Sequence, residues 1–124
     1  HKYPGKTPIT LEQIYDLARI FPDNKIILAH WGGGIFFYNI MKKEAKKVFK
    51  NIWYDTAASP YLYDSQIYDI AANAGVLDKV LFGTDFPLLT PDRYYKDIDT
   101  TNIKSYQKKQ ILGSNAALIF NIDQ

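Results

Sequence analysis

Apolar residues recur along this chain with two alternating periods. After an opening rich in proline and glycine, Leu11, Ile14, Tyr15, Ala18 and Phe21 return every three or four positions, the spacing of one helix face, and Pro22 stops the run. Thr10 followed by Gln13 fits a capping box at the start of that helix. "KIILAH", residues 25–30, is a short β-branched apolar run, the pattern of a strand buried on both faces. Three glycines then predict a sharp turn, and "IFFYNIMKKEAKKVFK" carries helical periodicity as far as Asn51. The succession repeats. "NIWYDT" predicts a second strand, "AASPYLY" a loop, Ser65 to Asn73 a short helix carrying Ile67, Ile70 and Ala71 and closed by Gly75, and "DKVLFGTD" a third strand. Beyond it, helices are predicted from near Pro91, over "NIKSYQKKQIL" up to Gly113, and over "NAALIF" with Ser114 as its cap.

The three strands begin at Lys25, Ile52 and Lys79, with a helix between each pair. That spacing is too long for hairpins and suits right-handed crossovers, so the strands are expected to be parallel. The fold class is α/β, with residues 1–124 as a single unit.

Parallel α/β folds gather reactive side chains at the carboxyl ends of their strands. His30, Asp55 and Asp85 stand at the three strand ends. Alternation puts Ile26, Leu28 and His30 on one face of the first strand, and Leu81, Gly83 and Asp85 on one face of the third. If those faces coincide, an imidazole and a carboxylate meet on one rim, where they are suited to hold a divalent metal and to move a proton near neutral pH. Each residue has a plainer reading: His30 as a satisfied core histidine, Asp85 as a turn aspartate or helix cap, Asp55 as a structural or substrate-lining residue.

Composition narrows the picture. With 47% hydrophobic and 15% aromatic residues, the 124-residue chain can bury a core. Fifteen basic residues are interspersed with thirteen acidic ones, and the one basic run, "KKEAKKVFK", reads as a solvated helix face, so no nucleic-acid partner is expected. The absence of cysteine suits a cytoplasmic protein, and no run is apolar enough for a membrane partner or a signal peptide. The ten tyrosines would suit a binding surface, but most fall at packing positions; Tyr3 and Lys6 read as solvated loop residues. A first residue that is histidine rather than methionine suggests a piece of something longer.

Three segments taken in order, "AHWGGG", "YDTAASP" and "LFGTDFPLL", together with "ILGSNAALIFNI" at the end, resemble the C-terminal half of the amidohydrolase-related metal-dependent hydrolases, the branch that includes aminocarboxymuconate-semialdehyde decarboxylase and hydroxybenzoate decarboxylases. The resemblance implies the C-terminal part of a (β/α)8 TIM barrel whose strand ends hold a divalent metal, usually zinc. It places His30 beside the metal, as a catalytic group or as ligand to a second ion, and makes Asp85 a metal ligand that orients or deprotonates water. His1 does not match the family's fifth-strand histidine, and the first-strand His-x-His pair has no counterpart here. A whole barrel needs about 250 residues.

The expectation is thus a metal-dependent hydrolase or decarboxylase of a small carboxylated or cyclic molecule, with His30 and Asp85 catalytic and Trp31, Ser59 and Phe86 lining the substrate. A different expectation concerns the chain alone. Three strands cannot close a barrel, so it would be a noncatalytic half-barrel that folds as a homo-oligomer or against the missing N-terminal half.

Overall fold

The computed structural model describes residue 4 and residues 7–122; His1, Tyr3 and Lys6 lie outside the described residues. Helix α1 (Leu11–Ile20) starts at the capping box foreseen for it, with the Gln13 amide donating to the Thr10 hydroxyl at 3.1 Å and the Thr10 amide to the Gln13 side chain at 2.9 Å. Strands β1 (Ile26–Leu28), β2 (Ile52–Asp55) and β3 (Val80–Leu81) form one parallel sheet in the order β1-β2-β3. Helical crossovers connect them, as the spacing requires.

Register decides which residues share a face. Leu28 pairs with Tyr54 and Tyr54 with Val80, whereas Asp55 pairs with Leu81. Ile26, Leu28, Ile52, Tyr54 and Val80 therefore face the helices, where Ile52, Tyr54 and Val80 are buried among Trp31, Phe36, Tyr68, Ala71 and Ile111. Ile27, Trp53, Asp55 and Leu81 occupy the other face, where Ile27 is 40% exposed. This corrects the alternation argument. Leu28 and Leu81 lie on opposite faces, so counting by twos from them would send His30 and Asp85 to opposite sides of the sheet.

Several elements depart from the sequence pattern for identifiable reasons. The long helix expected over residues 35–50 divides into α2 (Tyr38–Met41) and α3 (Ala45–Val48), because Lys42 is extended. In that conformation its ammonium lies 4.5 Å from the Tyr15 ring centroid and 5.0 Å from that of Tyr38, a favourable cation–π placement. The expected loop after β2 contains a short helix, α4 (Ser59–Leu62), with Pro60 in its first turn. Helix α5 (Gln66–Asn73) follows the prediction, with Ile67, Tyr68 and Ala71 buried; Ile70 is at the surface.

The third strand is shorter than foreseen. Past Leu81 the side chain of Thr56 replaces the ladder, donating to the Gly83 carbonyl at 2.9 Å and accepting from the Gly83 amide at 3.0 Å. After α6 (Pro91–Asp99), the last helical segment runs through Gly113 instead of stopping there. Helix α7 (Ser105–Lys109) continues through a wide π turn (Gln110–Ser114) into α8 (Asn115–Ile119). Ser114 is helical and makes no capping bond, so it is not the cap predicted from its position. The wider turn accommodates an extra residue while Ile111 and Asn115 both stay buried. Among the described residues, no helix is long and apolar enough to cross a membrane.

Candidate functional site

The carboxyl ends of the strands carry an unusual backbone. His30 (φ 54), Ala58 (φ 59) and Asp85 (φ 57) are left-handed, one after each strand, and Trp31 (φ 59) continues the turn after β1. A left-handed conformation costs an L-residue about 1–2 kcal/mol, so such residues persist only where their surroundings fix them. These turns also break strand alternation. His30 and Asp85 stand at the same end of the sheet because the strands are parallel, and the turns release their side chains from the faces that alternation would assign.

Each turn is held by specific bonds. The His30 amide donates to Asp55 Oδ1 at 2.9 Å, and the Ala57 amide donates to the same oxygen at 3.1 Å. The Tyr63 hydroxyl donates to the His30 carbonyl at 2.6 Å. The His30 ring nitrogen Nδ1 lies 2.8 Å from the Ala57 carbonyl oxygen. A carbonyl only accepts, so Nδ1 carries the proton and the free lone pair belongs to Nε2. The half-buried imidazole is thereby fixed in tautomer and direction. Asp55, Tyr63 and Ala57 do this work, and sequence reasoning missed all but Asp55. The visible signal was Asp55 at a strand end; Tyr63, 33 positions away in a segment read as loop, gave none.

Asp85 is exposed, and Phe86 beside it is 76% exposed. Tyr94, fully buried on α6, accepts from the Ala58 amide at 2.7 Å and donates to the Thr84 carbonyl at 2.8 Å. Burial pushes the Tyr94 phenol above its ordinary value; the Ala58 bond pulls it down, while the carboxylates of Asp85 and then Asp55 push it up again. Its hydroxyl therefore keeps its proton and remains a donor. Burial likewise raises the Tyr63 phenol.

Trp31 and Ser59 lie beneath the rim. Trp31 has no exposed surface, packs edge-on to Tyr68 at 5.2 Å, and donates its indole N–H to the Ser59 hydroxyl at 2.7 Å. The Ser59 hydroxyl in turn donates to the Thr56 carbonyl. In this arrangement the pair braces the turn rather than presenting surface to a ligand. The structure thus brings His30, Asp85 and Phe86 to the strand-end rim, with Trp31 and Ser59 supporting it from below.

The donor chemistry suits a divalent ion, since Nε2 of His30 offers a lone pair and Asp85 an exposed carboxylate. The set is incomplete, because among the described residues no three His, Cys, Asp or Glu side chains converge as an ion cage. The groove of about 420 Å³ between α5 and the start of α7, lined by Gln66, Asp69, Asn102 and their neighbours, lies on the helix side, away from these groups. The strand-end rim is the better candidate because the reactive side chains and the strained turns coincide there.

Comparison with known structures gives the same fold. The chain is similar to a dihydroxybenzoic acid decarboxylase from a Polaromonas strain, a structure with bound manganese and the inhibitor 2-nitroresorcinol, at TM-score 0.68 and 22% identity over 92% of this chain and 39% of that one. It is similar to a 2,6-dihydroxybenzoate decarboxylase from Rhizobium at TM-score 0.69 and 20% identity, covering 92% of this chain and 42% of the other. An amidohydrolase from Burkholderia multivorans with bound HEPES superposes at TM-score 0.66 and 12% identity, over 91% of this chain and 50% of that structure. The chain therefore spans between two fifths and half the length of these proteins, and its three strands form part of a TIM barrel. No curated protein sequence matches it. Residues 4–122 match the sequence model of the Amidohydrolase family, and this chain belongs to that family.

Proposed function

We propose that the chain supplies the His30–Asp85 side of the active site of a metal-dependent amidohydrolase-family enzyme acting on a small carboxylated or cyclic molecule. The observation that carries this reading is the clamp on His30, which leaves a directed Nε2 lone pair at the carboxyl end of a parallel sheet. Asp85 would hold the metal together with ligands from outside the described residues, and His30 would stand beside it. A bound divalent metal, for which we favour zinc, would supply Lewis acidity and draw the pKa of a water towards about 7. In hydrolysis, the Asp85 carboxylate takes a proton from the attacking water, while His30, once Nε2 has taken up a proton, donates it as a hydrogen bond to the charge developing on the substrate. Phe86 offers an exposed ring against a planar substrate, and Trp31 and Ser59 hold the wall behind it.

A second reading, decarboxylation, is favoured by the names of two of the similar structures. Here the carbon–carboxylate bond breaks, carbon dioxide leaves, and the electron pair stays on the ring carbon. Nε2 of His30, once it has taken up a proton from the substrate's carboxyl group or from water, delivers that proton to that carbon. Carbon dioxide release from 2,6-dihydroxybenzoate by the chain completed to a whole barrel and supplied with zinc or manganese distinguishes the two. Release that disappears in His30→Gln supports decarboxylation. Turnover of a lactone or amide without carbon dioxide supports hydrolysis, and full activity after exhaustive chelation removes the metal from both.

The chain by itself is read as noncatalytic. Ile27 on the open sheet face and the edges of β1 and β3, unpaired among the described residues, favour a form completed by a second copy or by the rest of a barrel. A monomer in gel filtration that binds zinc tightly and turns over substrate contradicts this.

A further inference from the structure

The two sides of the rim are joined through one peptide group. The Ala57 carbonyl accepts the His30 Nδ1–H at 2.8 Å, and the amide on the other end of that peptide, Ala58 N–H, donates to the Tyr94 hydroxyl at 2.7 Å. The hydroxyl then donates to the carbonyl of Thr84 at 2.8 Å, next to Asp85. All three bonds point the same way, so each polarises the next. The linking peptide leads into Ala58, whose left-handed φ of 59° is unfavourable for alanine, so its orientation depends on partners at both ends. Tyr94 is fully buried, and its ring meets Phe82 edge-on at 5.4 Å, which leaves the hydroxyl little freedom to do anything else.

We propose that Tyr94 is a positioning residue whose hydroxyl orients the Ala57–Ala58 peptide, so that His30 is held as its Nδ1–H tautomer and the turn bearing Asp85 is tied to the same peptide. Without the hydroxyl, the buried Ala58 amide and the Thr84 carbonyl both lose a partner. The peptide then has reason to rotate away from His30. The proposal rests on the reading of His30 and Asp85 as the reacting pair, but the linkage belongs to the folded protein and can be observed without metal or substrate.

The test is long-range proton–nitrogen NMR of histidine-labelled protein at about pH 8.5, where an ordinary imidazole is neutral. His30→Gln distinguishes the His30 signals from those of His1. Wild-type protein should show His30 almost wholly as the Nδ1–H form, and Tyr94→Phe should reduce that form to a minority. Phe82→Leu, which loosens the ring packing but keeps the hydroxyl, should leave the tautomer as in wild type. A folded Tyr94→Phe that retains the Nδ1–H form overturns the proposal, and so does a Phe82→Leu that loses it. Should Tyr94→Phe fail to fold, amide exchange in the wild type decides. Slow exchange at Ala58 supports the bond to Tyr94, and exchange as fast as that of an open loop overturns it. An Asp85→Asn enzyme with full activity would instead sink the proposed function and leave the tautomer result standing.

Discussion

The two ends of the sheet are built in opposite styles. At the carboxyl ends, His30, Ala58 and Asp85 hold left-handed backbone, and side chains spend their hydrogen bonds keeping it there. At the amino ends the backbone is ordinary and the polar groups act as stitches. Buried Asn115 of α8 donates to the carbonyls of Leu77 and Val80 at 2.7 and 2.9 Å, and the Lys79 ammonium donates to the Lys50 carbonyl while lying 4.0 Å over the Trp53 ring. Strain is tolerated where chemistry is proposed, and relaxed stitching holds the other end. In barrel folds this division is expected, with reactivity on the carboxyl side and stability on the amino side.

The contrast can be broken by experiment. The largest effect is expected from Asp85→Asn in the active enzyme: a fall in kcat/KM of about a thousandfold, or ~4 kcal/mol of barrier, with Tm unchanged. A parallel fall in Tm would mean that the carboxyl end is a structural support after all. Next comes Asn115→Ala, which leaves two carbonyls without their donor; urea unfolding should show a loss of about 3 kcal/mol. Its kcat should stay near wild type.

Smaller effects separate conformational cost from crowding within the rim. An alanine at Gly34 (φ +91) meets nothing within 4 Å, so Gly34→Ala should cost only the left-handed penalty of about 1 kcal/mol. At Gly32 (φ +62) the new carbon would sit 2.9 Å from Ile35 Cγ2 and 3.1 Å from Leu28 Cδ1, so Gly32→Ala should cost clearly more. Equal costs in chemical denaturation would show that the buried side of the turn has room to give.

The least effect at neutral pH is expected from the sheet's helix-facing side. Burial, only partly offset by a bond with Asn39, pushes the Tyr54 phenol from 10.0 to about 12. The folded protein keeps this proton after the unfolded chain has released it. The stability it contributes is complete below pH 10 and declines as pH rises from 10 towards 12. Tyr54→Phe should flatten that part of a Tm–pH curve, and an unchanged slope would assign the decline to other tyrosines.

Much of this was legible in the residues. Periodicity and spacing identified α1, the parallel order and the strand-end location of His30 and Asp85, because helix faces and crossover lengths are local properties of a sequence. Alternation failed for the rim because it assumes that extended backbone continues to the reactive residue, and here it ends two residues early at Leu28 and four early at Leu81. Strand-end aromatics and hydroxyls often face substrate, which is what the sequence suggests for Trp31 and Ser59; in the fold they are bonded to each other below the surface. Gly113 read as a helix end because glycine usually is one, and a π turn has no residue signature that would have said otherwise.

The stitch at Asn115 has a temporal side as well. Val80 and Leu77 leave the ribosome 35 and 38 residues ahead of the amide that will clamp them. While the intervening chain is still being made, β1 and β2 can already lie together, but β3 has no latch at its entry. Until Asn115 emerges, the amino end of β3 lacks the two bonds that hold it in the folded chain.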